Sequence, residues 1–136
     1  MTIELLYSEP HAAKVLSRQI ETAAELQVAS ADLLARYQAA NDMFPGIELR
    51  RAAGDSLSIA VAPFGWAIVY TDADFDQRCT RGDGTAEAGS VEVRWEEPDS
   101  VPRDWFVPEA GAISAVEQWM TDGTLTDELT WSDQCL

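Results

Sequence analysis

Leu57-Ser58-Ile59-Ala60-Val61-Ala62-Pro63-Phe64-Gly65-Trp66-Ala67-Ile68-Val69-Tyr70-Thr71 reads as two strands joined by a tight turn at Pro63-Phe64-Gly65. Side chains alternate across a strand, so Leu57, Ile59 and Val61 share one side, and Ile68 with Tyr70 answers them from across the hairpin. Just upstream, a strand over 47–51 and a Gly54-Asp55 turn lead into the same hairpin. Three successive strands with short turns predict an antiparallel meander, and this meander is the expected core sheet.

Working outward toward the N-terminus, Thr2-Ile3-Glu4-Leu5-Leu6-Tyr7 alternates well enough for an opening strand that stops at Ser8-Glu9-Pro10, where proline removes a ladder donor. Residues 11–19 suit either a helix, by their alanine content, or a short edge strand over Lys14-Val15-Leu16-Ser17. Thr22-Ala-Ala-Glu25 is a capping-box pattern. The apolar stripe Leu26, Ala29, Leu33 and Tyr37 then carries a helix to about Ala40. Asn41, Asp42, Pro45 and Gly46 predict the loop that returns to the meander.

Beyond the meander, 72–90 is polar and glycine-rich and predicts a mobile loop or a ragged extra pair of strands. Val91, Val93 and Trp95 then share one side of a strand, with Glu92, Arg94 and Glu96 on the other and Pro98 at its end. A proline-bounded aromatic loop, Val101-Pro102-Arg103-Asp104-Trp105-Phe106-Val107-Pro108, precedes a helix over 108–122 that stops at Gly123. A last strand is expected over 125–131. The order is β-α-β-β-β-β-α-β: one α+β domain over 1–136, with two main helices and a largely antiparallel sheet of about five or six strands.

At 136 residues and 46% hydrophobic content, the chain suits a single domain with a real core. Twenty-four acidic residues face nine basic ones, a formal charge of −15, which disfavours nucleic acid or an anionic membrane as partner and favours a cationic one. The excess is uneven. Residues 1–71 hold eight acids and five bases (−3), and residues 72–136 hold sixteen acids and four bases (−12). Cys79 and Cys135 lie far apart without metal-ligand spacing and read as free thiols. With neither a basic-then-apolar leader nor an apolar run near membrane-spanning length, the expectation is a cytoplasmic protein.

Catalytic chemistry finds little support. His11 is the single histidine and Lys14 the single lysine, so a nucleophile with a positioned base, a histidine metal cluster and a Walker-type phosphate loop all lack their parts. Asp72-Ala73-Asp74-Phe75-Asp76 resembles the opening of a calcium loop, but Gln77 stands where glycine is needed and Asp83 where the bidentate glutamate belongs. Glu96 and Glu97 are neighbours on a strand, point to opposite faces and cannot share one scissile bond. No enzyme activity, metal or cofactor is expected.

Recognition uses the same residues better, since an exposed carboxylate binds arginine in a fork and an indole face attracts a cation. The expected partner-binding surface is Asp72, Asp74, Asp76, Glu92, Glu96, Glu97, Asp99, Asp104 and Trp105. Trp105, in the proline-flanked loop, is expected to be the partly exposed tryptophan, with Trp95, Trp119 and Trp131 mainly buried.

The strand ending Trp95-Glu96-Glu97, the Val101–Pro108 segment, the helix carrying Ala112, Ala115, Val116 and Trp119, the Gly123 stop and the closing Leu129-Thr130-Trp131 together resemble the immunity protein 1 family of bacterial polymorphic toxin systems. The likeness extends to the Asp55–Tyr70 region and the opening strand, nearly the whole chain. Two places depart from the family pattern: Thr124-Leu125-Thr126 after the last helix, and the tail 132–136 past the closing tryptophan. The resemblance implies a protein that binds and neutralises a cognate secreted toxin domain, commonly a deaminase or nuclease acting on nucleic acid. Such a domain carries a basic substrate cleft, which agrees with the acidic second half read from charge alone. A small acidic secretion chaperone that holds a client protein is the alternative with the same size and charge.

Overall fold

The computed structural model describes residues 2–85 and 88–135. Along them run β1 (Ile3–Ser8), β2 (Val15–Ile20), α1 (Ala23–Ala39), β3 (Phe44–Arg50), β4 (Ser56–Ala62), β5 (Gly65–Thr71), β6 (Gln77–Arg81), β7 (Ser90–Arg94), β8 (Pro98–Pro102), α2 (Glu109–Asp122) and β9 (Thr130–Ser132). A single 3-10 turn, Arg103–Trp105, lies between β8 and α2. Seven strands form an antiparallel sheet in the order β2-β1-β3-β4-β5-β6-β9. The β7–β8 hairpin attaches to it sideways, through a short parallel pairing of Phe44 with Val93 and Pro45 with Arg94.

The meander has the expected register, with Leu57 opposite Tyr70, Ile59 opposite Ile68 and Val61 opposite Trp66. Period two sends Ile3, Leu5, Ile47, Leu49, Leu57, Ile59, Val61, Trp66 and Ile68 to one face, where they meet Leu26, Leu33 and Tyr37 of α1 and Ala112, Val116 and Trp119 of α2 in one buried cluster. Each fully buried large apolar side chain there stabilises the fold by roughly 1.5–3 kcal/mol relative to exposure. Residues of the other face, Ala60, Ala62, Ala67 and Cys79, are covered only at one end, by Val93, Val101, Trp105 and Phe106.

The fold class and both helices match the sequence reading, but the described residues hold nine strands, not five or six. The open segment 11–19 enters β2 from Val15 onward, and the full-length register of β2 with β1 satisfies backbone groups on that side of β1. Within 72–90, where a mobile loop was one of two expectations, β6 forms on β5; residues 86 and 87 of that stretch lie outside the described residues. The buried Thr80 hydroxyl accepts from Ile68 N at 3.0 Å and donates to Trp105 O at 2.7 Å, fixing β6 between β5 and the aromatic segment. Part of the supposed aromatic loop is β8, with Pro98 and Pro102 at its ends. An edge strand tolerates proline because its missing N–H takes nothing from the ladder. The closing strand shrinks to Thr130–Ser132, since Thr124 and Thr126 are engaged in local turn bonds to Asp122 and Glu128.

Helix ends follow local chemistry. Thr22 Oγ1 accepts from Glu25 N at 3.1 Å, as a cap does; the Glu25 carboxylate receives the Thr22 hydroxyl at 3.4 Å instead of reaching the Thr22 amide. At the end of α2, Gly123 takes a left-handed φ of 78° and returns its N–H to Trp119 O at 2.8 Å. Arg51, from the β3–β4 turn, donates to the same carbonyl at 2.9 Å and lies 3.0 Å from the Asp55 carboxylate. Asp55 in turn accepts from Trp119 Nε1 at 2.9 Å.

Candidate protein-binding surface

The sheet face away from the helices is open over most of its length. Its register places Ser17, Leu6, Glu48, Ser58, Val69, Cys79 and Ser132 in one row across all seven strands. The β7–β8 hairpin rises beside this row and turns the open face into a trough. Trp95, just after β7, stands at the middle of the trough and lines a cavity on each side, about 260 Å³ toward β1 and β2 and about 350 Å³ toward β6.

Gly46 sets the position of that indole. A Cβ at residue 46 would lie 2.2 Å from Trp95 Cε3, so only glycine lets the ring lie directly on β3. At the hairpin turn, Trp95 N donates to Glu97 O at 3.1 Å, which leaves Glu96 and Glu97 exposed. Asp99 pairs with the buried Val93 and so sits on the hairpin's inner side, lining the larger cavity. Glu92 pairs with Ser100 and accepts its hydroxyl at 2.7 Å.

Asp72, Asp74 and Asp76 occupy the β5–β6 turn. Asp72 Oδ1 accepts from the amides of Asp74 at 2.9 Å and Asp76 at 3.0 Å, holding the turn closed. Phe75 sits at its apex with φ 68° and is 85% exposed. Gln77, next in the chain, lines the same cavity as Asp99, so the turn stands at one end of the trough. Asp104 is exposed on the 3-10 turn and does not line either cavity beside Trp95.

Trp105 corrects the sequence reading: it is buried, not partly exposed. Its ring packs with Phe106, Val93 and Val101 against the small residues Ala60, Ala62 and Ala67, and Arg81 covers it at 5.1 Å. Flanking prolines had suggested a loop that leaves the surface, whereas the backbone bonds from Gly82 N to Asp104 O and between Val107 and Trp66 pull the segment down onto the sheet. Trp119 is buried as expected, but Trp95 and Trp131 are only half-buried. The roles of Trp95 and Trp105 are thus exchanged, a result of the hairpin turn that no local pattern announces. Phe75 and Gly46 were missed as well; an apolar residue amid three aspartates was the available signal for Phe75.

Charge pairing divides the chain sharply. Among the described residues, the carboxylates within 4.0 Å of a basic group are Glu9, Asp32, Asp42, Glu48 and Asp55. No described carboxylate from Asp72 onward has such a partner. Three of the four arginines of the second half are otherwise engaged: Arg94 donates to Asp42 at 2.8 Å, and Arg81 and Arg103 lie over Trp105 and Phe64 at 5.1 and 4.0 Å, whereas Arg78 is exposed on β6.

Cys79 and Cys135 are free. Burial, then the neighbouring Cys79 thiol, pushes the Cys135 thiol up to about 12, so it lines the larger cavity as a neutral group. Among the described residues no group of three or more His, Cys, Asp or Glu side chains is placed to hold a metal, and no helix is long and apolar enough to cross a membrane. No family model matches the chain, and no curated protein matches it.

Proposed function

We propose that this chain is an immunity protein that binds a secreted toxin domain with a basic active-site surface and neutralises it by covering that surface. The observation that carries the reading is a group of seven carboxylates without a basic partner, on the β7–β8 hairpin and the β5–β6 turn around an open sheet face. A carboxylate already paired within its own fold gains little from a partner's arginine, whereas an unpaired one can steer encounter and form charge-assisted bonds on docking. Glu92, Glu96, Glu97 and Asp99 on the hairpin, with Asp72, Asp74 and Asp76 on the turn, are the proposed contacts. Phe75 adds an apolar anchor, and Trp95 takes the place first assigned to Trp105. A toxin acting on nucleic acid fits this surface, because its substrate cleft must attract phosphate and would attract carboxylates equally. The chain acts in this reading by occupancy and within the cytoplasm of the producing cell.

Co-expression with the toxin domain encoded beside this gene tests the proposal. Cells carrying both survive, and the purified pair forms a stable complex with the folded toxin domain. Loss of viability despite normal expression of this chain would refute immunity for that pair. Binding confined to an unfolded client would instead support a chaperone.

A further inference from the structure

We infer that the larger cavity beside Trp95 receives an arginine side chain from the partner, with Asp99 as its counter-charge and the Trp95 indole as its stacking face. Immunity supplies the partner's identity here; the cavity's chemistry stands on its own.

At about 350 Å³ the cavity lies at the small end of ligand sites, the scale of one long side chain and not of a cofactor. Its walls include Val69, Val101 and Trp105, which would cover an aliphatic stem, and Gln77 and Ser58 supply neutral hydrogen-bonding groups. Asp99 is its sole charged liner. The carboxylate accepts the Ser100 amide at 2.8 Å through Oδ1, and among the described residues no basic group lies within 4.0 Å of it. On the other side of Trp95 the smaller cavity already holds a cation, since Arg50 lines it and donates to both carboxylate oxygens of Glu48 at 3.1 and 3.2 Å, with Glu96 as a second carboxylate on that wall. The larger cavity has a carboxylate and no basic residue among its liners, so it is the one with room for an incoming cation.

Arginine suits it better than lysine. Guanidinium is planar, weakly hydrated and stacks on aromatic faces while its edge meets a carboxylate; ammonium is a compact, strongly hydrated point charge that loses more on entering an apolar-walled space. The chain uses the same arrangement internally, with Arg51, Arg81 and Arg103 over Trp119, Trp105 and Phe64. Arg81 already covers Trp105, so Trp95 is the wall left for an incoming group. Among the described residues Trp95 has no cation over its ring and its Nε1–H has no hydrogen-bond acceptor.

The test follows the Trp95 indole N–H by NMR while the whole protein is titrated with acetyl-Gly-Arg-Gly-amide, with its lysine counterpart and with its citrulline counterpart, an uncharged mimic of arginine. The arginine peptide is expected to shift Trp95, the lysine peptide to bind about tenfold more weakly, and the citrulline peptide not to bind. Asp99→Asn should weaken the arginine peptide about tenfold, and Trp95→Leu, followed through the side-chain amide of Gln77 in the same cavity, should lose the preference for arginine over lysine. Equal affinity for the lysine peptide, an unaltered response in Asp99→Asn, or shifts confined to the Asp72–Asp76 turn would overturn the inference. The two claims fail separately: a toxin domain that binds Asp99→Asn and Trp95→Leu as tightly as the parent protein removes the cavity's role and leaves immunity standing. A failed co-expression rescue with arginine selectivity intact does the reverse.

Discussion

Gly46 and Trp95 show how one missing Cβ shapes the open face. The indole lies where an alanine methyl would sit 2.2 Å away, against β3 backbone that cannot withdraw without breaking its ladder to β4. Gly46→Ala should therefore destabilise the protein by about 2 kcal/mol in urea unfolding, an overpacking effect, and shift Trp95 emission to the red as the ring moves toward solvent. Unchanged stability and emission would mean that the ring has another seat. Asp42 is a second decisive residue. Burial alone would raise its carboxyl, but donors from Arg94, the His11 amide and the Met43 amide outweigh that and hold it at about 2, against an ordinary 3.8. A depressed carboxylate stabilises the fold above its unfolded value, and that contribution is lost as pH falls from about 3.8 through about 2. Asp42→Asn should flatten stability in that window and cost about 2 kcal/mol at neutral pH, measured by unfolding at several pH values.

At the scale of elements, local chemistry and tertiary partners contribute in different proportions. The N-terminus of α1 is local: Thr22→Ala removes the hydroxyl that accepts from Glu25 N and should cost about 1 kcal/mol, with Thr22→Ser close to the parent protein in thermal unfolding. The C-terminus of α2 is not. Its last turn carries no basic residue, and the cation near its carbonyls is Arg51, sixty-eight positions away in the sequence from Trp119. Strands divide likewise. β4 and β5 were legible because both alternate strongly and a Pro-Phe-Gly turn joins them, whereas β6 exists because the Thr80 hydroxyl bridges Ile68 and Trp105. Neither partner is near Thr80 in sequence, so no window of residues contains that reason.

For the whole molecule, the salient property is that five of the eight acids of the first half have a basic partner, while no described acid of the second half has one. Exposed charges of this kind govern the rate of encounter more than the stability of the fold. Glu96→Lys, Glu97→Lys and Asp99→Lys together should slow association with a basic toxin domain about tenfold at low ionic strength, an effect that fades with added salt and leaves the melting temperature nearly unchanged. Association kinetics indifferent to this triple change would place the docking face elsewhere. The acidic residues themselves were all legible as a group from composition. Which of them share a surface was not, because Asp72–Asp76 and Glu92–Asp99 meet the same trough only through the β4–β5–β6 register and the hairpin's sideways attachment to β3.

The linear chain determined the α+β class, both helices, the central meander and the −12 charge of residues 72–136, because periodicity, caps and ionisable groups act over a few residues or simply add. The tertiary structure decided which tryptophan reaches the surface. Trp95 and Trp105 are both aromatic residues beside prolines and acids, and exposure belongs to whichever one the fold leaves uncovered. The bonds that tie Asp104 and Val107 to the sheet bury Trp105, and the absence of a side chain on Gly46 gives Trp95 its place in the open trough.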